Sequence, residues 1–559
     1  MQLATKDILV FLFYFVLVSM YGYWIYRRKK NAYNDSKDFF LAEGSLTWWA
    51  IGASLIASNI SAEQFVGMSG QAFQLGLGIA SYEWMAAATL IIVAVFFMPL
   101  YLKNKIYTMP QFLRQRYDGR VSTIMAVFWL LLYVLVNLTS IIYLGALSLQ
   151  HMLGAPFFYC ALGLVIFAIF ITLGGMRVIG YTDVIQVFFL VLGGLVTTYL
   201  ALNLVSDNLG SGKGAWEGLQ LLKEKAPDHF HMIFNKGQGL VYSGEPAGGL
   251  IPSKDPWFDL PGLSVLIGGM WIANLSYWGC NQYITQRALG ASLPTARKGL
   301  LFAAFLKLLM PLIVVIPGIA CYVIFQHGTH AAINEGMKQI DPATGNAFIK
   351  PDNAYSILLN LLPAGMKGLA FAALTAAIVA SLAGKANSIS TIFSLDIYKR
   401  FMNKNADDKK IVRTGRWVIL AAFAIALVIA PALKTLGQGF AYIQEFTGFV
   451  SPGILAMFLM GFFWKRSNSN GALAATLISI PLSALLKYTI PAMPFLNRMG
   501  VVFLACVILI ILFGLFDPKS KDNPKALEVE ASMFKVSTGF AAGLLLVLGI
   551  LAALYIAYW

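Results

Sequence analysis

Two groups of polar residues interrupt apolar stretches of this 559-residue chain. Residues 58–64 lie inside an apolar run at 48–73, and residues 274–282 follow an apolar stretch that starts near Leu263. A helix in a bilayer cannot present so many hydrogen-bonding groups to lipid, because no water is there to satisfy them. Each group therefore predicts a broken helix, whose freed carbonyls and side chains line a binding site.

The composition of the whole chain is that of a membrane protein. Apolar residues make up 58% of it and charged residues only 12%, whereas soluble domains carry about 25% charged residues. Segments of about 17–25 residues, long enough to cross a bilayer, can be placed at 7–26, 46–73, 78–102, 122–150, 156–175, 181–206, 262–285, 299–326, 354–384, 414–434, 438–463, 470–490, 498–516 and 536–558. The sequence thus predicts an all-α integral membrane protein with about 14 transmembrane helices.

The distribution of charge favours a lipid bilayer as the partner and not a nucleic acid. The net charge is +15, but the basic residues lie at the ends of apolar runs, as at 27–30, 103–120 and 409–416. The alternate connections, such as 74–77 and 151–156, contain no Lys or Arg. By the positive-inside rule, the protein is expected in a plasma membrane (a bacterial inner membrane) with both termini extracytoplasmic.

The two predicted breaks fall in the second and seventh spans. If each begins a repeat of five helices, the repeats cover 46–206 and 262–463, and the odd number of helices forces them into opposite orientations. The remaining segments are then an N-terminal helix and cytoplasmic loop, an extracytoplasmic loop and three C-terminal helices, at 1–45, 207–261 and 464–559.

Two ionisable residues are placed inside predicted spans. Lys307 lies nine residues past Lys298, about 13 Å into its helix at 1.5 Å per residue, too deep to reach water easily. Glu83 lies a few residues inside its span, where a carboxylate costs about 2.5–3.5 kcal/mol unless it faces a polar cavity. An internal position is predicted for Lys307, whereas Glu83 either faces a cavity or reaches outward to water.

The residue types in the spans suit a hydroxylated solute such as a sugar, which needs hydrogen-bonding partners for its hydroxyls and aromatic faces for its C–H surface. The polar candidates are Gln64, Glu83, Asn274, Lys307 and Gln444, and the aromatic candidates are Tyr82, Tyr277, Trp278 and Phe440. A small cation needs hard oxygen ligands, which the break at 59–64 offers as carbonyls and Ser381 as a hydroxyl. Single polar residues in a bundle are often helix–helix contacts, so the prediction depends on their coincidence with the breaks.

The sequence contains no motif that indicates an ATP-driven transporter, a metalloprotein or an enzyme. Residues 212–214 read Gly-Lys-Gly but lack the glycine spacing and the Ser/Thr of a phosphate-binding loop, so ATP coupling is not indicated. His229 and His231 are expected in a loop exposed to solvent and not as metal ligands. The four cysteines all lie within predicted spans, and their spacing indicates neither a disulfide framework nor a metal motif. No nucleophile–base constellation suggests an enzyme, and no cofactor is predicted beyond a coupling ion. The first span reads as a retained helix, because its charges follow the apolar stretch.

Several motifs closely resemble the solute:sodium symporter family, in particular its sodium/galactose and sodium/glucose cotransporter branch. They are 53–70 (ASLIASNISAEQFVGMSG), 81–85 (SYEWM), 137–140 (NLTS), 181–187 (YTDVIQV), 274–286 and 442–455 (YIQEFTGFVSPGIL). The resemblance extends along nearly the whole chain. It implies a LeuT-like core of two inverted five-helix repeats that works by alternating access.

The resemblance also implies roles for individual positions. The solute site would comprise Gln64, Glu83, Asn274, Lys307 and Gln444 with Asn59 and Ser61 close by; Met68, Tyr82 and Phe440 would form the outer gate, and Tyr277 the inner gate stacked on the sugar. Sodium would bind the carbonyls of Ala57, Ile60 and Ala377 and the hydroxyl of Ser381, and Asp183 would lie on its exit route.

Three positions depart from the family pattern. Ala86 stands where the galactose transporter has a serine, and Ala380 replaces a serine at the sodium site. Lys385, four residues past Ser381 and so on the same helix face, is a charge where relatives are neutral. Its ammonium either pairs with Asp183 and stands in for a second cation, or lies near the cytoplasmic end and reaches water.

The leading hypothesis is sodium-coupled uptake of a monosaccharide. The alternatives are another solute of the family (inositol, sialic acid or an amino acid) and proton-coupled sugar transport. A transporter-like sensor would need an attached signalling domain, and none follows the last span before Trp559. The sugar, the sodium stoichiometry and the oligomeric state, a homodimer included, stay open.

Overall fold

The computed structural model describes residues 4–28, 36–42, 46–237, 255–327, 330–340, 347–435 and 439–559. Within these ranges the chain is almost entirely helical. The exception is a two-stranded antiparallel sheet, in which Lys338–Ile340 pairs with Ala347–Ile349. The predicted helical architecture is confirmed.

The first half of the chain forms helices that follow the predicted spans, several with a π-helical or 3₁₀ segment inside them. Their bounds are Thr5–Arg28, Ser36–Leu41, Trp48–Asn59, Glu63–Met68, Ser69–Leu75, Gly76–Ala80, Ser81–Ile92, Val93–Phe97, Met98–Lys103, Met109–Arg116, Gly119–Leu131, Leu132–Leu138, Thr139–Leu153, Phe157–Thr172, Gly175–Leu209, Ala215–Lys225 and Pro227–Phe230.

The second half is built in the same way. Its helices are Pro256–Phe258, Leu263–Ile267, Gly269–Cys280, Gln282–Leu289, Leu293–Gln326, Ala331–Gly336, Pro351–Asn353, Ala354–Leu361, Met366–Ile392, Phe393–Met402, Asp408–Ile429, Ala430–Thr435, Gly439–Gly448, Ser451–Phe463, Ser469–Thr489, Phe495–Phe516, Pro518–Ser520, Ala531–Phe534 and Thr538–Ala557.

Eleven helices of the described residues are long and apolar enough to cross a membrane, or twelve if the bent pair around Gly268 counts as one span. The prediction of fourteen also counted short pieces such as Phe157–Thr172, and it divided the helical stretch Glu63–Lys103 at Gly76. That glycine has φ 64°, and an added Cβ would lie 2.3 Å from the His229 carbonyl oxygen, so the chain turns there in a way other residues rarely can. The number fourteen stays a prediction.

The span predicted at 354–384 is wrong in its bounds. A short helix, Ala354–Leu361, ends before Pro363, and a new helix begins at Met366 and continues without interruption to Met402. Lys385 therefore lies at the middle of this helix and is only 1% exposed. It cannot reach the cytoplasmic water, which removes one of the two interpretations given above.

Close helix packing depends on small residues, as is usual in membrane bundles. Gly193 of Gly175–Leu209 faces the Met366 helix so closely that an added Cβ would lie 2.6 Å from the Ala373 Cβ. Outside the spans, the segment at 207–261, predicted as a loop, contains the helix Ala215–Lys225. His229 is buried there with its ring stacked on Tyr322 at 3.9 Å.

Candidate functional site

The first predicted break is present. Trp48–Asn59 ends at Asn59, Ile60 is extended (φ −75°, ψ 117°), and helical structure resumes at Glu63. The Gln64 side-chain oxygen accepts hydrogen bonds from the Ser61 backbone N–H (2.9 Å) and from the Ser61 hydroxyl (3.2 Å). One side chain of the polar heptad thus satisfies donors that the break itself releases, as a membrane interior requires.

The second predicted break is present at the end of its polar group, at Asn281, and a further bend lies ahead of that group. Residues 274–280 are helical within Gly269–Cys280, and the chain bends by 75° just before them, at Gly268. A second interruption follows at Asn281, which is extended (φ −96°, ψ 128°). The Asn274 side-chain amide donates to the Met270 carbonyl at 3.1 Å, within the same helix. Its hydrogen bond therefore does not require a break in the helix.

The interruptions after Asn59 and at Asn281 border a cavity, which both of these residues line. Its walls include eleven of the predicted residues: Asn59, Gln64, Met68, Tyr82, Glu83, Asn274, Tyr277, Trp278, Lys307, Phe440 and Gln444. Ser61 is buried behind Gln64 and does not line the cavity itself; it is hydrogen-bonded to Gln64, which does. The predicted ion residues do not line this space; they are Ala57, Ile60, Ala377, Ser381, Asp183 and Lys385.

A buried charge pair forms one wall of the cavity. Lys307, 1% exposed, donates hydrogen bonds to the Glu83 carboxylate and to the Asn59 side-chain oxygen. Its ammonium also lies 5.2 Å from the centre of the Trp278 ring, close enough for a cation–π attraction. Glu83 is 3% exposed, so of its two interpretations the one that faces the cavity is correct.

Aromatic rings border the cavity on two sides. Tyr82 and Phe440 meet edge to face, with centroids 5.3 Å apart and planes at 83°. Tyr277 packs against Trp278 at 5.2 Å, and its hydroxyl accepts a hydrogen bond from the Asn59 amide at 2.9 Å. The rings thus enclose the polar groups, an arrangement that suits a solute with both hydroxyl and C–H surfaces.

Sequence reasoning missed several residues of the cavity wall. They include Glu63, Asn137, Ser276, Asn281, Tyr283, Thr447, Ser451, Phe495 and Met499. Glu63 accepts a hydrogen bond from Ser140 at 2.9 Å, and both residues lie in motifs that had already been singled out. Phe495 and Met499 come from the helix Phe495–Phe516, where no sequence pattern marks them.

The predicted ion residue Ser381 is placed beside the first break. Its hydroxyl donates to the carbonyl of Ser58 at 2.9 Å, and the Lys385 ammonium donates to that same hydroxyl at 2.9 Å. Lys385 also lies 4.8 Å from the centre of the Tyr283 ring, a cavity residue. The helix that begins at Met366 therefore contacts the broken helix where a cation was expected.

Asp183 does not pair with Lys385. It accepts a hydrogen bond from the Ser54 hydroxyl and lies 3.8 Å from the Arg287 guanidinium, and no ion pair within 4.0 Å joins it to Lys385 in the described structure. The absence of a side chain at Gly384 leaves room for Arg287 beside it: an added Cβ would lie 2.3 Å from Arg287 Nη2. The arginine fills the space beside Gly384 and supplies the cation that Asp183 was expected to take from Lys385.

No group of three or more His, Cys, Asp or Glu residues within the described ranges could hold a metal ion. The four cysteines are buried and free.

Comparisons with known proteins agree on one family. A family model described as "Sodium:solute symporter family" matches residues 39–479. A sodium/glucose cotransporter of Vibrio parahaemolyticus is 46% identical over 560 residues, which cover 100% of this chain and 99% of that protein. Human sodium/myo-inositol cotransporter 2 is 33% identical over 478 residues, or 84% of this chain and 68% of that protein.

Two solved structures share the fold. A substrate-bound, outward-open Na⁺-coupled sialic acid symporter aligns with a TM-score of 0.74 at 23% identity, covering 92% of this chain and 99% of that one. Mhp1, a nucleobase-cation-symport-1 family transporter, aligns with a TM-score of 0.51 at 14% identity, covering 89% of this chain and 99% of that one. These likenesses confirm the predicted LeuT-like fold.

Proposed function

This chain belongs to the sodium:solute symporter family, and we propose that it couples inward sodium flow to the uptake of a monosaccharide of the galactose or glucose type by alternating access. The wall formed by Lys307, Glu83 and Asn59 supports this proposal most strongly. The charges of the lysine and the glutamate cancel, so the wall offers hydrogen bonds without favouring an acidic solute. The 46% identity to a sodium/glucose cotransporter over the full chain points the same way.

Each candidate residue has a task in this proposal. Gln64 has its oxygen engaged by Ser61, which leaves its NH₂ group to donate to a sugar hydroxyl; Gln444 and Asn274 add further donors and acceptors. Trp278 and Tyr277 present aromatic surface to the ring carbons. Met68, Tyr82 and Phe440 close the outer side of the cavity, and Tyr277 closes the inner side.

Sodium acts from the opposite face of the first broken helix. The carbonyls of Ala57, Ile60 and Ala377 and the hydroxyl of Ser381 are the proposed ligands, since a helix break frees carbonyls for a small cation. A bound ion would hold the end of the helix in place, and Asn59 at that end is hydrogen-bonded to both Lys307 and Tyr277. Sodium thereby orders the solute site, and Asp183 lies on the route by which the ion leaves.

The protein is proposed to lie in the plasma membrane of a bacterium, with both termini outside, since the basic residues concentrate in alternate connections. Residues 46–206 and 262–463 are then the two inverted repeats that move against each other around the cavity.

A cyclic polyol is the second candidate solute. Ala86 lines the cavity and offers no hydroxyl where the galactose-transporter pattern has a serine, and human sodium/myo-inositol cotransporter 2 is 33% identical. An inositol has the same mixture of hydroxyl and C–H surfaces as a sugar.

Uptake into proteoliposomes separates these possibilities. Labelled galactose, glucose, myo-inositol, sialic acid and an amino acid are each presented with an inward sodium gradient, with a proton gradient, and with neither. Sodium-dependent accumulation of a hexose is the expected result. Accumulation of only a charged solute, or of sugar with the proton gradient alone, would contradict the proposal.

A further inference from the structure

We propose that Lys385 is a resident cation of the ion site, which competes with sodium for the Ser381 hydroxyl and so keeps the sodium affinity of this transporter low. This inference rests on the proposed function, because it takes Ser381 as a sodium ligand.

One hydroxyl lies between the lysine and the broken helix. The Ser381 oxygen accepts from the Lys385 ammonium at 2.9 Å and donates its proton to the Ser58 carbonyl at 2.9 Å. The Ser58 hydroxyl beside it is buried without a hydrogen-bond partner. The site therefore holds a built-in ammonium group and a further oxygen atom that is not in use.

No carboxylate of the described residues lies within 4.0 Å of the Lys385 ammonium. Its direct partners are a neutral hydroxyl and the face of Tyr283, 4.8 Å away. The charge of Glu63 acts on it favourably from farther off, and that of Arg287 unfavourably. Arg287 is itself engaged with Asp183, so the region around Ser381 keeps a positive charge without a direct counter-ion.

A sodium ion at Ser381 would have to share that oxygen with the ammonium or displace it. The lysine is buried and attached four residues further along the same helix, so it cannot withdraw to water. An opposite charge within about 4–6 Å favours the charged form of a group by about 10- to 1,000-fold, and a like charge at that distance disfavours it. Removal of the lysine charge should therefore strengthen sodium binding at least about 10-fold.

Direct binding of ²²Na⁺ to purified protein, without sugar or transport, tests this. Lys385→Met keeps the side-chain length but removes the charge and the donor, and its half-saturating sodium concentration should be at least about tenfold below that of the wild type. Lys385→Arg keeps the charge and should show no gain. Lys521→Met, at an exposed lysine of the segment between the last two helices, should bind sodium like the wild type.

Equal sodium affinity in a folded Lys385→Met protein, or a gain of the same size in Lys385→Arg, would overturn the proposal. Should Lys385→Met fail to fold, Lys385→Gln carries the same expectation, because it can still hydrogen-bond Ser381 but has no charge. Wild-type protein that binds no sodium at all would contradict the proposed function instead. The two failures are therefore distinguishable.

Discussion

Two buried lysines, each 1% exposed, stand in opposite situations in this molecule. Lys307, at the proposed solute cavity, has a carboxylate, an amide oxygen and an indole ring as partners. Lys385, at the proposed ion site, has a hydroxyl and a phenol ring. A charge that is fully paired leaves a nearly neutral wall suited to a neutral solute, whereas a charge without a direct counter-ion makes a site sensitive to any second cation.

The two regions are joined at the turn that ends the first broken helix. Asn59 binds Lys307 through its side chain, and the preceding residue, Ser58, accepts from Ser381 through its carbonyl. A second connection runs from Lys385 over Tyr283, which packs edge to face on Tyr277 at 5.6 Å. These contacts form a continuous chain from the proposed ion site to the proposed solute site, through which occupation of one site can affect the other.

The largest effect is expected from removing one member of the Lys307–Glu83 pair. Lys307→Met leaves a buried carboxylate without its partner, which costs about 3–5 kcal/mol of folding free energy and should abolish sugar uptake. The double variant Glu83→Gln/Lys307→Met removes both charges and should recover most of the thermal stability in detergent but not the uptake. A Lys307→Met variant as stable as the wild type would show that Lys307 and Glu83 do not stabilise each other.

Loss of Gln64 or Gln444 should weaken sugar binding, and loss of Gln64 should also lower stability because the Ser61 N–H loses its acceptor. A solute hydroxyl left without its partner in a buried site costs about 1–3 kcal/mol, or roughly 5- to 150-fold in affinity. Half-saturation of uptake by Gln64→Ala and Gln444→Ala measures this, with cell-surface amounts as the control. Unchanged half-saturation in both variants would mean that the sugar binds in another cavity.

A smaller effect is expected at the ion site. Ser381→Ala deletes one neutral oxygen ligand, and a hydrogen bond or ligand of this kind contributes about 0.5–1.5 kcal/mol net, or roughly 2- to 12-fold. The sodium concentration for half-maximal uptake should rise by that factor while the sugar half-saturation at high sodium stays the same. A sodium response identical to that of the wild type would exclude the serine as a ligand.

The smallest effect is expected at the aromatic pair of Tyr82 and Phe440. Phe440→Leu loses the edge-to-face contact, which is worth about 0.5–1.5 kcal/mol, or roughly 2- to 12-fold. Because leucine keeps an apolar cover over the cavity, sugar affinity should fall by a factor at the lower end of this range. The rate of sugar release from preloaded protein should rise by a similar factor. A loss as large as that from Gln64→Ala would show that the ring binds sugar directly and is more than a gate.

The cavity could be predicted from the sequence because polar side chains inside a membrane must find partners. The break after Asn59 was placed correctly, since the residues that satisfy it are part of the same polar heptad. Within the predicted break at 274–282 the interruption falls at Asn281, whereas Asn274 bonds to its own helix. The bend at Gly268 was not predicted, because a glycine carries no polar signal.

The surroundings of Asp183 and Lys385 could not be predicted, because they depend on contacts between distant parts of the chain. Helix periodicity correctly placed Lys385 on the face of Ser381. Nothing local indicates that Arg287 reaches across Gly384 to Asp183. The end of a span is equally hard to predict: the helix through Lys385 continues to Met402, so this lysine lies at its middle and the alternative that placed it near water is wrong.

The ion and the solute are proposed to bind at two sites that are coupled through the turn at Ser58 and Asn59. Equilibrium binding of labelled galactose to purified protein, titrated with sodium, and the reverse titration of ²²Na⁺ with galactose measure that coupling in both directions. The two factors must be equal by linkage, and we expect each to lie between about 5- and 150-fold. A galactose affinity that stays the same from zero to saturating sodium would contradict the account.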